Sequence, residues 1–402
     1  DWCYDAFTSE QQSKIEKIIY KQCLSLYEAA YYNQITYTSF IKTYTNWNSW
    51  CNGPAIMCAA AVFDKYPDLC ADLISKMLRS QEIMLNEYYP DGAWMEGTGY
   101  WNIALFPIAI YSDTLKNTFG TDFNVSKTPG MDKSAYFSFA VQGPCGTNDF
   151  HDSDMVYQNC PVLFWCAKEY GDSRITKMHL AQMDKYMQSG NAYSMLWYDK
   201  KTDAEFANLD KDMYIKGGEV VSLRSSWEND NGAFVSYHAG VSDINHGQLD
   251  TGTYVIDMLG ERFAMDLGKE SYSVPLYFGS ERYNYYRCRP EGHNLYVINP
   301  KEGKLGQEKD TFCEVSSFVS SERGAYSTVD LTACYAPDVN VAKRGYKLED
   351  DRQSVVIADE IDLKAESEIY WFMHTDADIQ IADKNTLYLT KNGKKVKLMI
   401  SC

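Results

Sequence analysis

A helical first half followed by an antiparallel β second half is the fold class this sequence predicts, and two observations predict it. Up to about Leu196, apolar residues recur at helical spacing; from Met213 onward the period is two. A run of helices followed by a run of strands means two segregated layers or two domains. At 402 residues the chain is long enough for either.

The elements follow in order. Thr8 and Gln11 predict a capping box ahead of a helix carrying Ile15, Ile18, Ile19 and Leu26. Residues 52–63 are nearly all apolar, which predicts a short helix buried on all sides. Residues 68–88 form a longer amphipathic pattern with Leu69, Leu73, Met77 and Leu78 on one stripe. Residues 101–119 form another, expected to be disturbed at Pro107. Helix pairs with short connections continue to about Leu196. The segments GAFVSYHAG, GTYVIDMLG, ERFAMDLG, NLYVIN, RQSVVIADEIDL, SEIYWFMHT and NTLYLT then read as strands separated by Gly, Asn and Asp turns. The polar stretch YDKKTDAEFANLDKD marks the boundary, giving a helical domain over 1–205 and a β domain over 206–402.

Composition excludes several functions. No segment approaches the roughly 20 apolar residues of a membrane span, so no membrane role is expected. A net charge of −17 argues against sequence-independent nucleic-acid binding, which needs a basic footprint. It leaves room for an acidic ligand, because a local basic cleft can sit on an acidic protein. The twelve cysteines show no CxxC pair and no Cys–His metal spacing. They read as reduced structural thiols, which leans toward a cytoplasmic location, with a periplasmic or secreted one as the alternative. DWCYDAFTSEQQ has no basic flank and no apolar signal core, and KKVKLMISC breaks off in a strand-like pattern. Both ends read as those of a trimmed chain. Oligomeric state is left open.

Two polar clusters stand out. Residues 245–299 open with NHGQLDTGTYVIDMLGERFAMDLG and close with RPEGHNLYVIN, holding two of the six histidines beside Arg282, Arg287 and Arg289. Upstream lies PDGAWMEGTGYWN, which contains Glu96, Tyr100 and Trp101. A histidine and a tyrosine from two domains suit a reaction that takes a proton from a sugar and returns one to a leaving oxygen.

At these two blocks the chain resembles the heparinase II/III-like polysaccharide lyases, from about Asn46 to His374. The resemblance implies an incomplete α/α toroid joined to an antiparallel β-sandwich, and cleavage of uronic-acid-containing polysaccharides by β-elimination. The tyrosine ending the family's EGxxY motif matches Tyr100, and the histidine opening its HxHxDxG motif matches His246. A polar residue before a buried helix matches Asn48 in NWNSWCNGP, with Asn46 and Asn52 close by. The resemblance implies no cofactor for the chemistry. A structural zinc of some members is held by a set that matches Asp266 and His293, but Gln248 stands where the third ligand is histidine. Glutamine is a poor zinc ligand beside imidazole, so weak or absent zinc is expected.

Each residue has a role to fill in such a reaction. Removing the C5 proton of a uronate loads charge onto its carboxyl group, which a donor such as Asn48 would stabilise. Tyr100 and His246 are the acid–base pair. Tyrosine is a poor base at its ordinary pKa of about 10 unless positive charge lies near, and the sequence does not assign the two roles. Among 32 tyrosines, only its motif singles out Tyr100. His151, in the loop NDFHDSD, is either satisfied by Asp149 or Asp152 or a substrate contact. Arg287 is either a carboxylate or sulfate ligand or part of a solvated ion pair. Asn52, Glu96 and Trp101 complete the substrate-binding candidates, Glu96 with helix capping and Trp101 with core packing as alternatives. His179, His238 and His374 read as surface residues of helices or strands. The expected partner is an acidic polysaccharide or oligosaccharide. A non-catalytic carbohydrate-binding protein and a uronate epimerase are the alternatives. A glycoside hydrolase would need paired carboxylates, for which Asp152, Asp154 and Glu96 are available.

Overall fold

Thr8 caps the first helix as its spacing predicts. Its Oγ1 accepts from the Gln11 N–H at 3.3 Å, while Gln11 Oε1 accepts from the Thr8 N–H at 2.9 Å. The computed structural model describes residues 3–155, 159–200, 209–301, 303–349 and 351–401, so the expected boundary at 205/206 lies outside the described residues. Helix α1 spans Ser9–Ile19 and passes through a π-helical turn, Tyr20–Leu24, into α2, Ser25–Tyr31. There follow α3 (Asn46–Ala61), α4 (Pro67–Leu85), α5 (Thr98–Phe119), α6 (Ser134–Ala140), α7 (Val162–Tyr170), α8 (Ser173–Lys185) and α9 (Ala192–Trp197). Among the described residues no helix is long and apolar enough to cross a membrane.

Three expectations are corrected. The helix expected from Asn52 begins at Asn46, because its polar first turn is buried and hydrogen-bonded rather than exposed. The second concerns the disturbance expected at Pro107, which does not end the helix. α5 continues through it, with Pro107 buried against α3. A Cβ on Gly53 of α3 would sit 2.9 Å from Pro107 Cβ, so only glycine allows this approach. The third is that helices do not fill the first half alone. Residues Gln142–Gly143 pair with Gly146–Thr147 in a minimal hairpin, too short to carry a period of two.

The chain divides into two compact units, Asp1–Ala93 with Tyr100–Ala135 and Asn159–Ala204, and Trp94–Gly99 with Tyr136–Gln158 and Glu205–Cys402. In the first unit the long helices bury Leu73, Met77, Ile108 and Leu115. His179 of α8 is fully buried against Phe164, with ring centroids 4.6 Å apart, so the expectation of a surface histidine is corrected.

The second unit is built on antiparallel sheets. One is a five-stranded meander of β1 (Met213–Ile215), β2 (Val220–Arg224), β3 (Phe234–His238), β4 (Tyr254–Met258) and β5 (Glu261–Ala264). Another has four strands, β6 (Val315–Ser321), β7 (Gly324–Asp330), β8 (Val339–Glu349) and β9 (Ser354–Leu363). A three-stranded sheet of β10 (Asp378–Asp383), β11 (Thr386–Lys391) and β12 (Lys394–Met399) follows. Alternate residues of β8 are buried, as a half-buried strand requires. Val221, Leu223, Val235 and Tyr237 of the first sheet share one core with Val329, Ala342, Tyr346 and Leu348 of the second. Tyr237 stacks on Tyr346 with centroids 3.7 Å apart.

That core also grips the loops that matter for function. Buried Arg344 pairs with Asp359 at 2.6 Å and donates to the carbonyls of Asn294 at 2.8 Å and Gly252 at 3.2 Å. The Tyr346 hydroxyl donates to the same Gly252 carbonyl at 2.6 Å. Gly252 and Asn294 thereby fix the ends of the segments that carry His246 and His293.

Burial lowers the His179 pKa from 6.5 to about 3. Between those values the unfolded chain binds the proton and the folded chain does not, so stability falls as pH drops from 6.5 toward 3. Urea unfolding across this range should show up to about 1.4 kcal/mol per pH unit less slope in a folded His179→Asn variant than in wild type. Equal slopes would contradict the burial argument.

Candidate active site

Asp152 is the hub of the polar cluster in the second unit. It is buried in the loop that follows the minimal hairpin, and it collects five side chains. Its Oδ2 lies 3.3 Å from His246 Nδ1 and accepts from the Tyr272 hydroxyl at 3.2 Å. Its Oδ1 accepts from Gln248 Nε2 at 3.0 Å, the Tyr277 hydroxyl at 2.5 Å and Arg282 Nη2 at 2.9 Å. Burial alone would raise this carboxyl. The His246 hydrogen bond, the Arg282 charge and the bonds from Tyr277 and Gln248 outweigh it and hold the pKa down to about 2. Asp152 is therefore an anion at neutral pH and accepts the Nδ1–H of His246. The lone pair of the neutral ring then sits on Nε2, which suits a general base.

The backbone reinforces this placement. His246 adopts φ of 63° and His151 φ of 59°, left-handed conformations that non-glycine residues rarely hold unless their surroundings impose them. The Asp152 N–H donates to the His246 carbonyl at 3.1 Å, and Arg282 Nε donates to the Gly247 carbonyl at 2.8 Å. Asn245 donates to Glu96, whose other oxygen accepts from Trp94 Nε1 at 3.0 Å. The Glu96 carboxylate thereby positions the residue beside His246. Around the imidazole stand Tyr272, nearly parallel to it, and Phe278, edge-on at 5.5 Å. Phe278 is 59% exposed and Tyr272 40%, so the ring lies beside an open aromatic shelf.

The other second-unit candidates are distributed differently. His293 Nδ1 lies 2.7 Å from Asp266 Oδ2, so these two meet as expected. Burial lowers the His293 pKa, but the charge and hydrogen bond of Asp266 more than offset this and raise it. Gln248 turns its amide to Asp152, and its backbone N–H donates to His151 Nδ1 at 3.3 Å. The Gln248 amide nitrogen thus faces Asp152 and His293 Nδ1 faces Asp266, while Gln248 Oε1 and His293 Nε2 have no hydrogen-bond partner among the described residues. His151 meets Asp250 rather than Asp149 or Asp152: its N–H donates to Asp250 Oδ2 at 2.7 Å. Arg287 donates to the Leu267 carbonyl and lies 3.8 Å from Glu270, with 39% of its side chain exposed. It is Arg282, not Arg287, that reaches the His246 cluster.

In the first unit, Asn48 and Asn52 form a closed network. Asn48 Nδ2 donates to the carbonyls of Thr43 at 2.8 Å and Ser80 at 2.9 Å. Its Oδ1 accepts from Asn52 at 2.8 Å and Gln81 at 2.6 Å. Asn52 Oδ1 accepts from the Tyr31 hydroxyl at 2.8 Å. Both amide hydrogens of Asn48 are engaged, so the expectation of a donor to a substrate carboxyl group is corrected to a structural role. Trp101 is fully buried with Nε1 donating to Ser134 at 2.8 Å, which corrects its assignment as a sugar contact. Tyr100, in the first turns of α5, is nearly buried.

Sequence reasoning missed Asp152 as the partner of His246, and missed Arg282, Tyr272 and Tyr277. The acid-rich NDFHDSD and the arginine cluster were visible, but the register that joins them spans about 130 residues and leaves no local signal.

No family model matches the sequence, and no curated protein matches it significantly. Solved structures do. A mutant of the heparan sulfate lyase HepC from Pedobacter heparinus superposes with a TM-score of 0.63 at 15% identity, over 85% of this chain and 50% of that one. A heparinase III gives 0.64 at 14% identity, over 85% and 52%. The fold is therefore heparinase-like, a helical part followed by antiparallel sheets. The chain spans about half the length of these structures.

The closed asparagine network makes a stability prediction. Asn48→Ala strands several buried donors and acceptors, each worth roughly 1–3 kcal/mol. Urea unfolding should show a loss in that range or larger. A loss below about 0.5 kcal/mol, the level of an ordinary surface substitution, would contradict the network.

Proposed function

We propose that the protein is a polysaccharide lyase that cleaves a uronic-acid-containing chain by β-elimination, with His246 and Tyr100 as its proton-transfer pair. The observation that carries this reading is the His246–Asp152 arrangement: an imidazole whose Nδ1 faces a buried, ionised carboxylate beside an exposed aromatic shelf. The heparinase-like fold supports it, since the two named structures are a heparan sulfate lyase and a heparinase III.

In the proposed reaction the base takes the C5 proton of the uronate. Its bonding electrons form the C4=C5 double bond, and the C4–O bond breaks. The acid then supplies a proton to the departing oxygen. Asp152 orients His246 and stabilises its ring when protonated, as an anion beside a base does. Because Asn48 is closed off, neutralisation of the substrate carboxyl group falls to another donor, and Arg287, half-exposed, is the available guanidinium of its cluster. Glycoside hydrolysis fits less well. It needs a pair of carboxyls at the substrate, one protonated near neutral pH; Asp152 is held ionised at about 2, Glu96 is tied to Trp94 and Asn245, Asp154 pairs with Lys269 at 2.6 Å, and Asp149, which burial pushes up to about 8, is itself buried.

The test is ultraviolet absorbance from an unsaturated uronate product across heparan, chondroitin, hyaluronan, alginate and pectin substrates. On the substrate that responds, Tyr100→Phe and His246→Ala should each lose about 10²–10⁴-fold in turnover. The double variant should lose much less than the product of the two, because both groups act in one step. Reducing-end release without absorbance would point to hydrolysis. An epimerised, uncleaved product would point to proton return to carbon. Near wild-type turnover in folded Tyr100→Phe removes the tyrosine from the mechanism.

A further inference from the structure

We propose that His151, His238 and Asp250 form a binding site for a divalent transition-metal cation, of the zinc type, separate from the Asp266–His293 pair. The proposal does not depend on the lyase reading. His238 ends β3, Asp250 lies in the loop after His246, and His151 lies in the loop beside Asp152. All three are buried, at 3%, 1% and 0% exposure for His151, His238 and Asp250. The expectation of a surface role for His238 is thereby corrected: the strand carries it inward, where it stacks on Phe150 at 4.3 Å.

Ordinary hydrogen bonding does not account for the arrangement. His151 Nδ1 lies 3.0 Å and His238 Nε2 3.3 Å from the same oxygen, Asp250 Oδ1, and no hydrogen bond reaches that oxygen among the described residues. His238 Nδ1 lies 3.2 Å from the Ala239 carbonyl, which places the ring proton there and leaves a lone pair on Nε2. The Gln248 N–H lies 3.3 Å from His151 Nδ1, a long contact that marks this nitrogen as the unprotonated one and that a cation on the same lone pair would displace. In these tautomers two imidazole nitrogens and a carboxylate oxygen converge with no ring proton directed between them. That is unfavourable in a buried site without a cation.

A cation resolves the conflict with the geometry already present. Ligands on a tetrahedral zinc with bonds of about 2.0–2.1 Å sit roughly 3.3 Å apart. The three donor atoms here lie within 4.8 Å of one another, and two of the separations are 3.0 and 3.3 Å. The surroundings match those of metal ligands: the second nitrogen of His238 faces a carbonyl, and Asp250 Oδ2 is held by the His151 N–H. A cavity of about 20 Å³ lined by Phe150, His151, Glu219, His238 and Gly240 adjoins the cluster, enough for one water as a fourth ligand. Two neutral imidazoles, one carboxylate and a water form a recognised zinc donor set. The ion would bind the loop of His151 and Asp152 to the loop of His246 and Asp250.

The full chain, stripped with chelator and re-equilibrated with zinc chloride, tests this by elemental analysis. Wild type and His293→Gln should each retain about one zinc per chain, and His238→Gln should fall at least about tenfold, the loss that even an outer partner of a ligand can bring. X-ray absorption of the wild-type zinc complex should show two imidazoles, and it decides the matter if either variant fails to fold or if both lose the metal. Absence of zinc from wild type, zinc that survives His238→Gln, or a zinc with fewer than two imidazoles would overturn the proposal.

Discussion

The buried Asp152 carboxylate is the constraint on which the rest of the second unit's polar architecture depends. An ionised carboxylate out of water is unfavourable unless its oxygens are saturated and a cation lies near. Arg282 supplies the charge, and Tyr272, Tyr277, Gln248 and His246 supply the remaining contacts. Those partners come from two stretches of chain, 246–248 and 272–282, so satisfying one anion ties both to the loop of Asp152. Removing a partner from such a pair typically costs about 3–5 kcal/mol, more than the roughly 1–3 kcal/mol that a left-handed histidine conformation costs. The anion's demand for partners is therefore large enough to hold His246 in a backbone conformation it would otherwise leave.

The sheets make this possible by being rigid where the loops are not regular. The shared core of the five- and four-stranded sheets places Arg344 and Tyr346 under the loop ends at Gly252 and Asn294. Gly252 has φ of 87°, so the turn that releases the chain from the histidine loop into β4 needs glycine. The loops thus start from fixed points, and the polar contacts only have to settle what lies between. The aromatic shelf of Tyr272 and Phe278 is left outward by the same packing, since Tyr277 between them is drawn inward to Asp152.

Much of this was legible in the sequence, for physical reasons that differ by region. The capping box at Thr8, the amphipathic stripe of α4 and the alternation in β8 each follow from a local period, and local periods survive folding unchanged. His246 was singled out because its block concentrates polar residues beside strands. What the sequence could not display was pairing at long range. Asp152 reads as one of three acids beside a histidine in NDFHDSD, and nothing local says that it, rather than Asp149 or Asp154, faces His246. His238 was misread because a histidine at the end of an alternating strand gives no sign of which face it takes. Asn48 was assigned through the resemblance alone, as a polar residue before a buried helix, whereas α3 begins earlier and buries it within a network with Ser80 and Gln81.

The tautomer of His246 is the point at which the whole account meets a single observable. In protein with ¹⁵N-labelled histidine, long-range proton–nitrogen correlation spectra distinguish a protonated ring nitrogen from one with a lone pair, and the His246 signals are assigned by their absence in His246→Gln. At a pH where the ring is neutral, the account predicts Nδ1 protonated and Nε2 carrying the lone pair, with the preference lost in Asp152→Asn. A ring protonated on Nε2 in wild type, or one indifferent to Asp152, would contradict it.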